Sequence, residues 1–477
     1  MKAPFSAYLN SLHGGLQELI VLLGQDYDYV SVLATDSVGL AVRISQRAKS
    51  VSSETMTTER GVVVRVQKDG LYSEYALNRF DPADPAAAAA ELMAAVTAQR
   101  ALAAACGCAV YDTAALPDEP LTLFVEKETR ELPESCDIKA LVERLTALSD
   151  KGMRLGADLI DCIASAQSTH VCKMFLTANR DLRQSYVYSE GTVAAIASRE
   201  GRTQVGYEGI SGLCGPELFE GLEAKLETAV ATAEELLDAG RIEPGEYEII
   251  TTPEVSGLIA HEAFGHGVEM DMFVKNRALG KDYIGKRVGS ELVTMHEGAL
   301  CAEDVTSYAF DDEGTLAGDV IEIDRGILKT GICDALSALR LGVAPTGNGK
   351  RENFEHKVYT RMTNTLFDAG EDTLEDMIAS VKHGYLLEGV ESGMEDPKHW
   401  GIQCIVKAGR EIRDGKLTGR LVAPIIMTGS VPELLGNISM RSRECGVFGT
   451  GGCGKGYKEW VKVSDGGPYL KTKARLG

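Results

Sequence analysis

Two histidines of this chain, His261 and His266, stand five residues apart around a glutamate, in Ala260-His261-Glu262-Ala263-Phe264-Gly265-His266-Gly267. That spacing restricts how the segment can fold. On a regular helix, residues four apart lie about 40° from each other around the axis, whereas residues five apart lie about 140° apart. Two imidazoles at the wider angle cannot share one ion without distortion. A single π-type turn, with its i to i+5 hydrogen bond, brings them back to one face. Gly265 and Gly267 make such a turn, or an early helix end, inexpensive. The spacing therefore predicts a short, locally deformed helix, unless the two histidines are merely solvated or packed in a core.

The residue types carry chemistry as well as geometry. The chain has only eight histidines, so a pair flanking a glutamate is informative. Imidazole is the commonest neutral zinc ligand, and a carboxylate beside it, here Glu262, can take a proton from water that the metal has acidified to a pKa of about 7. The reading then depends on a third ligand, and three residues are candidates. Glu269 lies three residues past His266 and can turn back onto the metal. His296 is the next imidazole along the chain. Cys453 sits in the glycine-dense Phe448-Gly449-Thr450-Gly451-Gly452-Cys453-Gly454-Lys455, where a thiolate can be approached closely by other backbone. On residue chemistry alone, Cys453 and Glu269 stand level.

Composition narrows the function class. A net charge of -21 repels phosphate backbones, and no basic patch offsets it, so nucleic-acid binding is not expected. With 44% hydrophobic and 25% charged residues the chain reads as globular, not disordered. No stretch has the length and apolarity of a membrane span, and the start lacks the features of a secretory signal. The 11 cysteines follow no framework, which suits reduced, mostly buried thiols in a cytoplasmic protein. Cys106-Gly107-Cys108, lacking redox spacing, is read the same way, as two buried thiols.

The length of 477 residues is enough for two or three domains. The pattern predicts α+β architecture. Residues 1–240 read as an N-terminal region of mixed helices and antiparallel sheet, with a sub-boundary near 115–135. Residues 241–477 read as a strand-rich domain holding the metal helix. Within the first region, helices are expected at 5–24, 86–105 (with Leu92, Met93, Val96 and Leu102 as its apolar face), 138–148 and 216–240. Strands are expected at 27–35, 38–45, 61–67 and 71–77, followed by a run of short strands over 156–210. Tyr186–Thr192 reads as a hairpin turning at Gly191.

The segment from His261 to Glu269, together with Gly451-Gly452-Cys453-Gly454-Lys455, resembles the TldD/PmbA metalloprotease family. Ile284–Val288, Phe310-Asp311-Asp312-Glu313-Gly314 and Arg361–Thr365 look like that family's catalytic subunit. The resemblance covers essentially everything after about residue 240. It implies zinc held by His261, His266 and Cys453, with Glu262 as the catalytic base. It also implies a dimer, either of two copies or with a related metal-free subunit, and substrates that are peptides or unfolded polypeptides bound as an added β-strand in an enclosed cavity.

Other readings remain. Gly449–Lys455 also fits the start of a phosphate-binding loop, but Gly456 replaces the hydroxyl residue and the sequence after it alternates like a strand. Arg361 and Asn364 could touch substrate or be structural. A non-catalytic peptide-binding or regulatory subunit with a structural metal is the alternative function. Glu262 argues against it, because a structural zinc site has no use for a base, and such a site prefers four protein ligands.

Overall fold

The computed structural model describes residues 1–108, 111–457 and 459–477. Its first 240 residues build one eight-stranded, mostly antiparallel sheet. The strands are β1 (Tyr29–Ile44), β2 (Lys49–Ser52), β3 (Arg60–Lys68), β4 (Leu71–Leu77), β5 (Leu121–Glu126), β6 (Leu159–Leu176), β7 (Arg180–Arg199) and β8 (Arg202–Gly212). Helices α1 (Ala7–Leu23), α2 (Pro85–Ala105), α3 (Ile138–Leu155) and α4 (Leu226–Leu237) supply its cover. Leu9, Leu12, Leu16, Leu19, Ile20 and Leu23 form the buried stripe of α1 at the spacing a helix requires. They pack with Val30, Val32 and Ala34 of β1. Farther along the same strand Leu40, Val42 and Ile44 meet α3 and α4. All six β1 positions are even-numbered and a strand alternates its faces, so the four helices lie on one face of the sheet.

Five expectations need correction here. The strands expected at 27–35 and 38–45 are one continuous strand, β1, which pairs without a break with β6 from Val32 to Ile44. The strands between 156 and 210 are long, of 18, 20 and 11 residues, because each pairs with a neighbour along nearly its whole length. Gly191 makes no turn. It pairs with Ala166 and Ile210 inside β7, and a side chain there would meet Leu222 at 3.0 Å, so packing selects the glycine. The stretch 216–240 splits into a 3-10 run, Pro216–Lys225, and α4, each pressed on a different part of the sheet. Finally, the last turns of α2 run past their neighbours, so Leu102 is 65% exposed and Cys106 and Cys108 are exposed, not buried.

The second sheet has eleven strands. Five of them, β9 (Gly245–Thr251), β10 (His383–Asp396), β11 (Gly401–Arg413), β12 (Ile425–Ser430) and β15 (Ser464–Leu476), close on themselves, because β15 pairs with both β12 and β9. Ile249, Leu387, Ile402, Val406, Met427 and Leu470 belong to the core of this barrel. A two-stranded ribbon, β13 (Gly452–Lys455) and β14 (Glu459–Lys462), belongs to neither large sheet.

The helix-free face of the first sheet receives a segment of the later chain. Phe310 packs among Leu33, Val63, Phe175 and Leu182, and Tyr308 beside Tyr186 and Tyr188. Around them lie buried ion pairs: Lys173 with Asp312 at 2.5 Å, Arg351 with Glu74 at 2.5 Å, and Arg65 with Glu313. Phe310–Gly314 is thus a docking segment. Asp311 caps its turn by accepting from the N–H groups of Glu313 and Thr315, each at 2.9 Å.

The closest backbone approach in the first region gives a test. A side chain at Gly206 would stand 1.9 Å from the Ala229 carbonyl oxygen, since α4 rests directly on β8. Gly206→Val should lower stability by about 3 kcal/mol or more. Gly401→Ala, with nothing within 4 Å, should change it by less than about 0.5 kcal/mol. Thermal melting of both variants beside the parent protein reads the difference.

Candidate metal centre

The strand β9 ends at Thr251, and Pro253 opens a short helix, α5 (Pro253–Ile259), as proline at a first helical position favours. The helix then widens. Ala260–Gly265 is one π-helical turn, followed by a 3-10 turn at His266–Val268. The deformation is the one the histidine spacing predicts, and it sets the two imidazoles 5.1 Å apart between ring centres, edge to face. Gly265 has a packing reason too: a Cβ there would stand 2.1 Å from the Met362 sulfur. Val255, Leu258, Ile259, Ala263 and Phe264 join the barrel core, so the opposite side of the turn is anchored in apolar packing.

Cys453 reaches the turn from the ribbon. Its Sγ lies 3.2 Å from His266 Nε2, and one donor atom each of His261, His266 and Cys453 fall within 4.8 Å of one another. Electrostatics in this pocket favour a thiolate. Burial alone raises the thiol pKa, but His266 and His261 outweigh it and hold Cys453 well below the usual thiol range. Burial likewise opposes charge on His261, yet the Cys453 thiolate brings its pKa up to about 9. His261 is 3% exposed, and its Nδ1 has no hydrogen-bond partner. Two imidazoles and a thiolate, converging and largely buried, form a donor set that suits zinc.

The other candidate ligands lie elsewhere. Glu269 faces the far side of His266, its Oε2 at 3.0 Å from Nδ1. There it orients the ring, in the way a carboxylate behind a metal-binding histidine does. His296 pairs with Asp319 at 2.7 Å and Asp368 at 3.3 Å, outside the cluster. Glu262 is half-buried beside the pair, its side chain against Gly393 of β10, and among the described residues it forms no ion pair.

Sequence reasoning left Arg361 open between substrate and structure, and gave no role to Lys350 or Lys455, the other groups that hold the ribbon. Arg361 is 1% exposed and donates through Nη2 to the Cys453 carbonyl at 2.6 Å and through Nη1 to that of Glu459 at 3.3 Å. Lys350 donates to the Lys462 carbonyl at 2.7 Å. Lys455 is held between Glu269 and Asp271 at 2.9 and 2.8 Å. Asn364 is likewise structural, its amide on the Gly298 carbonyl at 3.2 Å. For Lys455 its place two residues after Cys453 was the available signal, whereas Arg361 lies 92 residues from the cysteine it holds and carried none. Among the described residues no helix follows Lys455, which leaves the phosphate-loop reading without its second half.

Comparison with known proteins bears on these residues. Residues 244–474 match the model of the PmbA/TldA metallopeptidase C-terminal domain. A metalloprotease of Methanocaldococcus jannaschii is 31% identical over 59% of this chain and 61% of its own. The chain thus spans about three fifths of that relative's length. A Synechocystis metalloprotease is 27% identical over 96% of both chains, and a zinc metalloprotease TldD homolog of Saccharolobus solfataricus is 32% identical over 48% of this chain and 51% of its own. Among solved structures, TldE from Thermococcus kodakarensis superposes with a TM-score of 0.75 at 18% identity, over 97% of this chain and all of that one, which is a likeness of fold.

The ligand set is open to direct test. Elemental analysis of the purified protein should find about one zinc per chain, and Cys453→Ala should lose most of it. Stoichiometric zinc in that variant would instead point to Glu269 or His296.

Proposed function

The chain belongs to the TldD/PmbA family, and we propose that within it this protein is a zinc-dependent peptidase acting on peptides or unfolded polypeptides. His261, His266 and Cys453 would hold the metal. The observation that carries the reading is their convergence beside a carboxylate, Glu262, that forms no ion pair among the described residues. Zinc at this place supplies Lewis acidity toward a peptide carbonyl and acidifies water.

The chain's own groups do the rest. Glu262 takes the proton of the attacking water and delivers it to the leaving amine, which is general acid–base work. Glu269 keeps a hydrogen on Nδ1 of His266, so that Nε2 faces the thiolate of Cys453. The substrate lies extended. Among the described residues β9 pairs with β10 from Gly384 to Leu387, and the rest of β10 is paired on one side, by β11. The unpaired stretch passes the site, with Gly393 against Glu262. A peptide added along this edge is held through its main chain, which gives affinity with little side-chain preference.

In this reading the protein works in the cytoplasm as a dimer, either with itself or with a related metal-free subunit, and the dimer encloses the site. Among the described residues no helix is long and apolar enough to cross a membrane. The alternative, a non-catalytic peptide-binding subunit with a structural metal, gives Glu262 no work.

Glu262→Gln separates the two. Its zinc content should match the parent's, while cleavage of an unfolded protein such as denatured casein should fall by about 100-fold or more. Undiminished cleavage in that variant would remove Glu262 from the mechanism. No cleavage by the parent, with zinc bound, would favour the binding subunit.

A further inference from the structure

The ribbon β13–β14 brings the third donor to the site, yet an isolated two-stranded hairpin is at best marginally stable in water. Its seating must come from what it touches. Along β13 side chains alternate, so Cys453 and Lys455 point to the same face, and the glycines between and before them leave the other face bare. That shared face meets the segment from His261 to Asp271. One strand of four residues therefore carries a thiolate for the metal and, two residues on, an ammonium beside it.

The ammonium is fully occupied. It donates to Asp271 Oδ1 at 2.8 Å and to the Thr360 carbonyl at 3.0 Å, and it forms an ion pair with Glu269 Oε2 at 2.9 Å. Glu269 Oε2 is the same atom that faces His266 Nδ1 at 3.0 Å, while its Oε1 is buried without a partner. Lys455 and His266 thus converge on one carboxylate oxygen, and the contact runs unbroken from ribbon to ring. Glu269 is 1% exposed and Asp271 6%, so no bulk water replaces the ammonium if it is removed. Lys275, at 3.1 Å from Asp271 Oδ2, braces the outer end.

We propose that Lys455 is a positioning residue for the metal centre, fixing the Cys453 ribbon onto the His261–His266 turn and, through Glu269, setting the orientation of the His266 ring. Without it the donor set is incomplete in two ways. The ribbon loses its link to the turn, and Glu269 is freed from its place behind His266. Outer contacts of this kind typically change metal affinity by about 10–100-fold. The inference rests on the reading of His261, His266 and Cys453 as a zinc site, and the test separates the two.

Zinc affinity of the full chain is measured by competition with a chromogenic chelator, for the parent, Lys455→Met, Lys455→Arg and Glu269→Gln. Methionine keeps the bulk of the stem and removes the charge. Lys455→Met should bind zinc about 10-fold to 100-fold more weakly, and Lys455→Arg should recover part of the loss. Because both residues act through one contact, the double variant Lys455→Met, Glu269→Gln should lose less than the product of the two single losses. Cobalt(II) substituted for zinc reads the geometry, and its thiolate charge-transfer band should weaken or shift in Lys455→Met. A purely structural role would lower the melting temperature of the metal-free protein and leave affinity and cobalt spectrum unchanged, which would overturn the proposal. If Lys455→Met does not fold, Glu269→Gln, which preserves shape, carries the same test, and parental affinity there would overturn it equally. A parent that binds no zinc would refute the zinc-site reading itself.

Discussion

A small ion accepts donors only at short, fixed distances, so side chains that share it must converge whether or not neighbouring backbone prefers that shape. Here the demand falls on residues five apart. An ordinary helix would point His261 and His266 to different sides, and the one π turn at Ala260–Gly265 removes the conflict. The turn is held from behind. Phe264 and Ala263 are buried with the barrel strands, and Met362 occupies the space a side chain at Gly265 would need. Barrel closure, helix entry from β9 and the glycine at 265 all bear on that one turn.

The third donor is governed differently. Cys453 belongs to a ribbon outside both large sheets, and the ribbon is gripped by Arg361, Lys350 and Lys455 through its carbonyls and through the acidic groups behind the histidines. Buried cations are costly unless well partnered, and these three each have partners at hydrogen-bond distance. The site is therefore made of one element fixed by apolar packing and one fixed by polar contacts. Packing of the first kind is tolerant in position, whereas directed bonds to carbonyls and carboxylates set a strand's register. A donor atom that must arrive at a defined place is well served by the second.

Among its described residues the first region gives no donor to the candidate metal centre, yet its sheet is not independent of the rest. Helices cover one face, and the other is filled by Tyr308 and Phe310 with ion pairs around them. Residues of the Phe310–Gly314 motif accordingly attach the later chain to this sheet. Replacing such buried pairs by apolar groups need not weaken a protein, so their value here is in fixing one docked arrangement.

How much of this was legible in the chain follows from the range of the interactions. The α+β class, the stripe of α1, the strand at 71–77, the deformed helix and the importance of the His261–His266 segment came from local periodicity and local spacing, which depend on neighbours a few residues away. Residue chemistry named Cys453 and Glu269 as ligand candidates, but left them level. Their separation depends on which side of His266 each approaches, and that is set by contacts 187 residues apart in one case and three in the other. The same limit explains the errors. Gly191 has the composition of a turn, and only pairing on both sides with β6 and β8 shows it to be mid-strand. Leu102 and Cys106 look apolar enough to be covered, but coverage depends on where the neighbouring strands end. The sequence by itself determined which groups could do chemistry and the local backbone they require. The tertiary structure alone decided which of them meet and what holds the ribbon, because those contacts join segments that are remote along the chain.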